Sequence, residues 1–160
     1  MGYMNTDMIW QTRSTSTEQT EQLAAAIGSK LRGGAVIELI SDLGGGKTTF
    51  TRGLARGAGS DAQVNSPTFT ISREYPAPGF TIAHFDFYRL GEAGIVADEV
   101  AELVGDPLYI VVIEWGEVVQ DVLPHRRLTV RIDLDPSDDM ARSIAVAYPE
   151  EYGYLMEGLA

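Results

Sequence analysis

The chain has 160 residues, of which 12 are basic and 23 acidic, so its formal net charge is −11. Its 44% hydrophobic and 22% charged residues are typical of a globular protein rather than a disordered one. Because the chain has no cysteine, disulfides, thiolate metal sites and cysteine nucleophiles are excluded. Its two histidines, His84 and His125, are too few for a three-histidine zinc site.

The apolar segments are short. The longest unbroken apolar run, 108–113, falls far below the ~20 residues that a membrane-spanning helix needs. The first ten residues have neither the basic nor the apolar region of a secretory signal. We therefore expect a cytoplasmic protein that does not associate with membranes.

The acidic excess lies in one half of the chain. Residues 1–90 carry eight acidic and eight basic side chains, whereas residues 91–160 carry fifteen acidic and four basic ones. Nucleic-acid binding requires a basic patch, so we expect no strong direct binding of nucleic acid by this chain alone. The acidic half is either a solvated surface or a docking face for a basic partner.

The first predicted elements are a helix, a strand and a second helix. Thr15 and Glu18 have the spacing of a helix-starting capping box, apolar residues then recur at helical spacing from Leu23 to Leu31, and Gly33-Gly34 is expected to end the helix. The mostly apolar run 35–40 predicts a buried strand. The next helix is expected from about Thr48 to Ala58.

The middle of the chain predicts two strands, a helix and another strand. Phe69 with Ile71, and the run 82–85, indicate strands on either side of a turn at 76–79. Residues 92–104 favour a helix, and 108–113 favour a second buried strand.

The end of the chain predicts a β-hairpin. Apolar and polar residues alternate from Leu128 to Asp135, which is typical of a strand with one wet face, and Ile144 and Val146 repeat the pattern after a turn. Strands interleaved with helices indicate an α/β protein with a P-loop NTPase-like layered fold. We expect a central mixed sheet flanked by helices in one domain, 1–160, with its core at about 14–148 and short extensions at both ends.

A phosphate-binding loop is predicted between the strand at 35–40 and the helix that follows it. The segment Gly44-Gly45-Gly46-Lys47-Thr48 lies where backbone N–H groups and a helix N-terminus bind phosphates. In such a loop Lys47 reaches the β- and γ-phosphates and the Thr48 hydroxyl binds Mg²⁺. Ser41 stands where the full motif has glycine, five residues before Gly46, and we expect the loop to tolerate it.

Two acids follow predicted buried strands. Glu114 directly follows the second buried strand, in the position of a Walker B acid, and Asp86 lies in the segment 84–88. Because ligands collect at the carboxyl ends of strands in open α/β sheets, both acids are expected to approach Lys47 and Thr48. His84 is interpreted as a packed or hydrogen-bonded core histidine. Neither lysine lies in the Asn-Lys-x-Asp motif of common GTPases, which favours ATP.

Together these segments resemble the bacterial TsaE family, also called YjeE. The motifs that carry the resemblance occur in the family's order between about Thr17 and Val146. They are Asp42-Leu43-Gly44-Gly45-Gly46-Lys47-Thr48-Thr49, Ser66-Pro67-Thr68-Phe69, His84-Phe85-Asp86-Phe87-Tyr88-Arg89-Leu90, Ile113-Glu114-Trp115 and Leu123-Pro124.

The resemblance implies a small Mg²⁺-dependent ATPase, weak alone, that supports threonylcarbamoyl transfer to the tRNA adenosine next to the anticodon. Its implied cofactors are ATP and Mg²⁺, and its implied partners are TsaD, the transferase, and TsaB. Asp86 and Glu114 are then catalytic, Thr48, Glu114 and Asp86 serve the metal, Thr68 belongs to a switch segment, and Trp115 flanks the nucleotide or the partner. The implied ATP-binding residues are Thr20, Asp42, Leu43, Gly44, Gly45, Gly46, Lys47, Thr48 and Thr49.

Two other functions use the same loop. A small-molecule kinase needs an acceptor pocket and usually an arginine-bearing lid, for which the sequence offers only Arg126-Arg127 and no obvious pocket. A nucleotide-gated binding module needs no turnover at all. The sequence does not place the arginines that could stabilise developing charge, such as Arg89, Arg126 or Arg127.

Overall fold

Strands and helices alternate along the computed structural model, which describes residues 7–41, 46–64, 72–88 and 94–159. The strands are β1 (Met8–Ser14), β2 (Val36–Ile40), β3 (Ser72–Pro76), β4 (Thr81–Asp86), β5 (Tyr109–Glu114), β6 (Leu128–Asp135) and β7 (Asp138–Tyr148). The helices are α1 (Thr17–Gly28), α2 (Lys47–Gly57) and α3 (Ile95–Leu103), and 3₁₀ segments cover Gly116–Val122 and Glu150–Met156. No helix within the described ranges has the length and apolar character needed to cross a bilayer.

The described strands form one mixed sheet in the order β1-β7-β6-β2-β5-β4-β3. The four central strands β6, β2, β5 and β4 run parallel to one another, whereas β1, β7 and β3 are antiparallel to their neighbours. The predicted α/β fold with a central mixed sheet and a C-terminal hairpin, β6–β7, is therefore confirmed.

Each face of the sheet has its own apolar core. Ile37 and Leu39 of β2 face α1 and α2, whereas Val36 packs on the other face with Val100 of α3. Helices α1 and α2 approach each other closely because glycine lies at their contact. A Cβ added at Gly57 would lie 2.0 Å from the carbonyl oxygen of Ala25, so no larger residue fits there without movement.

Helix α1 differs from its prediction at both ends. Its N-cap is Ser16, whose hydroxyl accepts the Gln19 N–H at 3.1 Å, and the Gln19 side chain accepts the Thr15 N–H at 2.8 Å. The capping pair is thus shifted by one residue from the predicted Thr15–Glu18 box. The helix ends at Gly28 and not at Gly33-Gly34.

Strand β1 was not predicted. It forms the sheet edge by pairing antiparallel with β7, and Leu155 and Met156 of the last 3₁₀ segment lie in the core. The packed region thus extends past the expected limits of 14–148.

The remaining boundaries differ by smaller amounts. Helix α2 begins one residue before the predicted Thr48, and α3 is shorter than 92–104, of which 92 and 93 lie outside the described residues. Phe69 and Ile71 also lie outside them. In β6 the predicted alternation fails at Thr129, which is buried, and at Leu134, which is exposed.

Candidate active site

The two predicted acids and the predicted phosphate-binding lysine meet at one edge of the sheet. Leu39 of β2 lies beside Glu114 of β5, and Glu114 lies beside Asp86 of β4. Helix α2 begins at Lys47, just beyond the end of β2. Because β2, β5 and β4 run parallel, their carboxyl ends form the edge at which open α/β sheets bind ligands.

The helix that follows the predicted phosphate loop begins in a conformation that requires glycine. Gly46, the N-cap of α2, has φ +110°, in the left-handed region that side chains disfavour. The first-turn N–H groups of an α-helix favour anions. Five predicted residues lie outside the described ranges, as does Arg89: Asp42, Leu43, Gly44, Gly45 and Thr68.

The Lys47 side chain is buried at this edge and is 7% exposed. Its Nζ atom donates to the Ser41 carbonyl oxygen at 3.3 Å and lies 3.9 Å from Glu114 Oε1. The same atom lies 4.4 Å from the centroid of the Trp115 ring, within cation–π range. The ammonium thus lies between the ends of β2 and β5, in contact with a carbonyl oxygen, a carboxylate and an indole ring.

Glu114 is held from the side opposite to Lys47. Its Oε2 atom lies 2.5 Å from Nε2 of His84, and His84 Nδ1 lies 3.0 Å from the Tyr75 hydroxyl. Glu114 is 3% exposed and His84 is fully buried. The interpretation of His84 as a hydrogen-bonded core histidine agrees with this arrangement, although the sequence did not indicate that its partner is Glu114.

Asp86 ends β4 and is partly buried. Its Oδ1 atom accepts the Tyr88 N–H at 3.0 Å. Burial raises the pKa of Asp86 above its ordinary value, and the negative charge of Glu114 raises it further, while the Tyr88 N–H and the Lys47 charge act in the opposite direction. Asp86 and Glu114 therefore form a locally negative edge, which a cation would stabilise.

Trp115 has an unusual backbone conformation directly after Glu114. With φ +55°, it is the one non-glycine residue of the described ranges with a positive φ. Its ring lies 5.0 Å from the Tyr88 ring, centroid to centroid, and also covers the Lys47 ammonium. Strained backbone of this kind clusters at functional sites, so the geometry favours a role for Trp115 at the site.

Thr20 lies beside the start of α2. It is buried, its hydroxyl shares a hydrogen bond of 2.6 Å with the Ser14 hydroxyl, and it lines a small hollow of about 30 Å³ with Gly46 and Thr49. Thr48 is partly exposed on the first turn of α2. The structure thus brings Thr20 close to the start of α2, in a hollow that neither Lys47 nor Glu114 lines.

Sequence reasoning missed two polar residues near the phosphate loop. Arg142 of β7 lines the small hollow, and a Cβ added at Gly46 would lie 4.0 Å from its Nε atom. Glu38 lies buried within β2, where Arg127 Nε contacts it at 3.0 Å. A signal existed for Glu38, since it is the single charge within an otherwise apolar strand, but none pointed to Arg142 on a distant strand.

A cavity of about 200 Å³ adjoins Lys47. Its lining includes Glu38, Trp115, Glu117 and Arg131. Because Ser41 and Lys47 also line it, this cavity adjoins the predicted phosphate site, and the expectation of no obvious acceptor pocket stays a prediction.

Of the three arginines considered above for stabilising developing charge, Arg126 and Arg127 lie in the described ranges, and both form ion pairs with glutamates. Arg126 Nε lies 3.5 Å from Glu151 Oε2 at the surface. Arg127 is engaged by Glu38 inside the protein. Neither residue lines the cavity beside Lys47 or the hollow near Gly46.

Comparison with known proteins gives one consistent family. The family model described as "Threonylcarbamoyl adenosine biosynthesis protein TsaE" matches residues 14–144. The tRNA threonylcarbamoyladenosine biosynthesis protein TsaE of Bacillus subtilis (strain 168) is 34% identical over 152 residues, which cover 92% of each chain. The proteins of the same name from Streptomyces coelicolor and Treponema pallidum are 39% and 37% identical, covering 78% and 84% of this chain and 87% and 97% of theirs.

A solved structure has the same architecture. The crystal structure of YdiB from Bacillus subtilis superposes with a TM-score of 0.77 at 29% identity, covering 96% of this chain and 95% of that one. The family match covers the strands and helices that form the edge with Lys47, Asp86 and Glu114. This chain belongs to the TsaE family.

Proposed function

We propose that this chain is a Mg²⁺-dependent ATPase that supports threonylcarbamoyl modification of the tRNA adenosine next to the anticodon. The observation that carries the proposal is the buried pair of Lys47 Nζ and Glu114 Oε1, 3.9 Å apart, at the strand edge where α2 begins. The relatives' shared name, tRNA threonylcarbamoyladenosine biosynthesis protein, supports the pathway.

ATP binding is assigned to the phosphate loop, residues 42–46, with Lys47 and the first turn of α2. The backbone N–H groups hold the phosphates, and Lys47 exchanges its contacts with the Ser41 carbonyl and the Trp115 ring for phosphate oxygens. We assign Thr20 and Thr49 to the same ligand, because both line the hollow beside Gly46.

The donor set fits Mg²⁺ bound together with phosphates. Within the described ranges no group of three or more His, Asp or Glu side chains could hold a metal without other ligands. Mg²⁺ commonly uses one or two carboxylates with substrate phosphates and waters. Thr48, Glu114 and Asp86 would hold the ion, which when bound neutralises charge on the β- and γ-phosphates.

Turnover is assigned to positioning rather than covalent chemistry. Water attacks the γ-phosphorus, the bond to the bridging oxygen of the β-phosphate breaks, and ADP and phosphate leave. Lys47 stabilises the charge on the transferred group, while Asp86 and Glu114 orient the water and the phosphate end of the site. Trp115 covers the Lys47 side and limits access of bulk water.

We further propose that TsaD and TsaB gate this turnover. Fifteen acidic residues against four basic ones in 91–160 give no basic patch for tRNA, but they suit association with a basic protein surface. We expect weak hydrolysis by the chain alone, a marked rise with the TsaB–TsaD pair, weaker association as salt rises, and no appreciable binding of free tRNA.

A small-molecule kinase remains the alternative, and the cavity of about 200 Å³ beside Lys47 is the observation that favours it. Phosphate release and nucleotide binding should be measured for the chain alone, with a panel of small hydroxyl and amine acceptors, and with the TsaB–TsaD pair. Stimulation by the pair with free phosphate as product supports the proposal. Full activity in isolation with phosphate appearing on an acceptor would favour the kinase, and tight binding without turnover under any condition would favour a binding module.

A further inference from the structure

His84 lies in a chain of side chains that crosses three neighbouring strands. Tyr75 of β3, His84 of β4 and Glu114 of β5 are joined by hydrogen bonds of 3.0 and 2.5 Å. All three are buried. The chain ends at the carboxylate whose other oxygen faces Lys47, so His84 is one hydrogen bond away from the proposed phosphate site.

The Glu114 carboxylate determines which ring nitrogen of His84 carries the proton. A carboxylate oxygen only accepts, so His84 Nε2 donates to Glu114 Oε2. In the neutral ring Nδ1 then accepts, and the Tyr75 hydroxyl donates to it. The Tyr75 hydroxyl, which can donate or accept, thus complements the tautomer that the Glu114 carboxylate selects.

This donation determines where the second oxygen of Glu114 lies. With Oε2 held by His84, Oε1 is directed toward Lys47 at 3.9 Å. When a buried carboxylate loses a hydrogen-bond donor, the unsatisfied oxygen costs free energy, which favours rotation of the side chain toward another donor. Without His84, Glu114 would rotate away from the orientation that serves the phosphates and the metal.

We propose that His84 is the positioning residue for Glu114 in ATP hydrolysis, and that Tyr75 holds the His84 ring in place through its hydrogen bond to Nδ1. This inference rests on the proposed ATPase function. It assigns to His84 no contact with the nucleotide and no proton transfer. Its consequence is a loss of turnover with little loss of ATP binding, because the loop N–H groups and Lys47 carry the binding.

The first test compares His84→Phe, which keeps a ring without the donor, with His84→Gln, whose amide can still donate to Glu114. We expect His84→Phe to lower kcat at least about tenfold while changing the Kd for ATP less than about threefold, and His84→Gln to recover most of the loss. His125→Gln, at the other and exposed histidine, is the matched control. Equal kcat values for His84→Phe and the parent would overturn the inference.

A double-mutant cycle tests whether His84 acts through Glu114. In a Glu114→Gln background, His84→Phe should lower kcat by less than about twofold, because the group it orients is already lost. A full, additive loss in that background would show that His84 acts elsewhere and would overturn the inference.

A measurement that does not depend on activity is the ¹⁵N spectrum of the histidine rings, assigned with the His84 and His125 variants. We expect His84 to carry its proton on Nε2, and Tyr75→Phe to shift its Nδ1 signal while lowering kcat about two- to fivefold. A proton on Nδ1 with a bare Nε2 would overturn the inference. If His84→Phe does not fold, His84→Gln and Tyr75→Phe carry the test.

Two outcomes distinguish failure of the His84 positioning role from failure of the proposed ATPase function. If Lys47→Ala hydrolyses ATP as fast as the parent, the proposed ATPase site is wrong. If Lys47→Ala is inactive and folded His84→Phe retains parental turnover, only the positioning role fails.

Discussion

Charged side chains at the carboxyl ends of β2, β4 and β5 differ in kind from those on the hairpin β6–β7. Lys47 and Glu114 are almost fully buried and meet each other, a histidine and an indole ring. On the hairpin, Arg13 of β1 meets Asp135 at 2.8 Å in a pair that solvent reaches. Exposed ion pairs contribute little to stability. Burying a charge costs desolvation free energy, which an apolar side chain packed in the same place would not.

The two carboxylates Asp86 and Asp135 show the same contrast through their pKa values. Burial raises the pKa of Asp86, whereas the Arg13 guanidinium and the Ser137 hydroxyl and N–H hold that of Asp135 well below its usual range. The ionised form is therefore disfavoured by folding at the active-site edge and favoured on the hairpin. We infer that the edge is arranged for a ligand, and the hairpin for solvent.

Burial of a charge does not by itself mark the active site. Glu38 and Arg127 are also buried and lie 3.0 Å apart, and Gln120 Nε2 donates to Glu38 at 2.8 Å. The Gln120 hydrogen bond joins β2 to the segment Gly116–Val122, which follows Trp115. Arg127 Nε and Glu38 Oε1 are within hydrogen-bond distance, whereas Lys47 Nζ and Glu114 Oε1 are 3.9 Å apart.

The largest expected effect is at Lys47. Lys47→Ala should abolish measurable ATP turnover in a folded protein, because a lost charge contact to phosphate removes about 2–4 kcal/mol of transition-state stabilisation. Lys30→Ala is the matched control, since Lys30 is the other lysine and contacts the Glu157 carbonyl at the surface. Undiminished phosphate release by Lys47→Ala, with unchanged thermal unfolding, would rule out the phosphate-loop assignment.

The next effect is at Glu114. Glu114→Gln should lower turnover by about a hundredfold while changing ATP affinity much less, because positioning of the metal and water is lost but the loop contacts remain. Glu102→Gln, an exposed acid on α3, controls for loss of negative charge. If Glu114→Gln hydrolyses ATP at the parental rate with the TsaB–TsaD pair present, Glu114 has a structural role and no role in turnover.

Asp86 should show opposite effects on activity and stability. Asp86→Asn should lower turnover and yet raise the unfolding temperature at neutral pH, because the folded-state pKa of Asp86 is raised and its ionisation opposes folding. The stability gain should appear as the pH rises above the ordinary aspartate value of about 3.9 and vanish below it. Unfolding temperatures of the variant and the parent, measured at about six pH values from 3 to 8, test this. A stability gain that is largest at acidic pH would contradict a raised pKa of Asp86.

Asp135 should behave in the reverse way. Because its folded-state pKa is lowered, the ionised side chain stabilises the fold above the ordinary aspartate pKa, and that contribution is lost as the pH falls through the folded-state value. Asp135→Asn should therefore lower the unfolding temperature slightly at neutral pH, and not in strong acid, with turnover unchanged. A loss of turnover would show that the hairpin takes part in the reaction.

The smallest effect is expected at Ser41. Lys47 contacts the backbone carbonyl oxygen of Ser41, which a substitution to glycine retains. Ser41→Gly should change the free energy of ATP binding by less than about 1 kcal/mol. An ATP titration with a tenfold or larger change in Kd would show that the serine side chain takes part in binding.

The sequence predicted the elements that position the site because their signals are local. The apolar run before Glu114, the glycine cluster before Lys47 and the hairpin pattern each depend on neighbouring residues. The role of Gly28 could not be predicted from local signals. A Cβ at this position would lie 2.3 Å from the Leu54 carbonyl oxygen, so the glycine allows α1 and α2 to pack closely. Strand β1 was missed because Gln11, Thr12 and Arg13 make it too polar to signal an edge strand.

The partners of His84 were beyond sequence reasoning for a different reason. His84 and Glu114 are 30 residues apart, and their hydrogen bond exists only because β4 and β5 are neighbours in the sheet. The same holds for Arg142 of β7, which lines the hollow beside Gly46. Long-range pairs of this kind require the strand order, which local patterns do not contain.

The central claim is most directly tested by a crystal structure with Mg²⁺ and a non-hydrolysable ATP analogue. We predict that Lys47 Nζ leaves the Ser41 carbonyl and the Trp115 ring and contacts the terminal phosphate, with the metal held near Thr48 and Glu114. A nucleotide bound away from the start of α2, with Lys47 still on Trp115 and Glu114 distant from the metal, would contradict the claim.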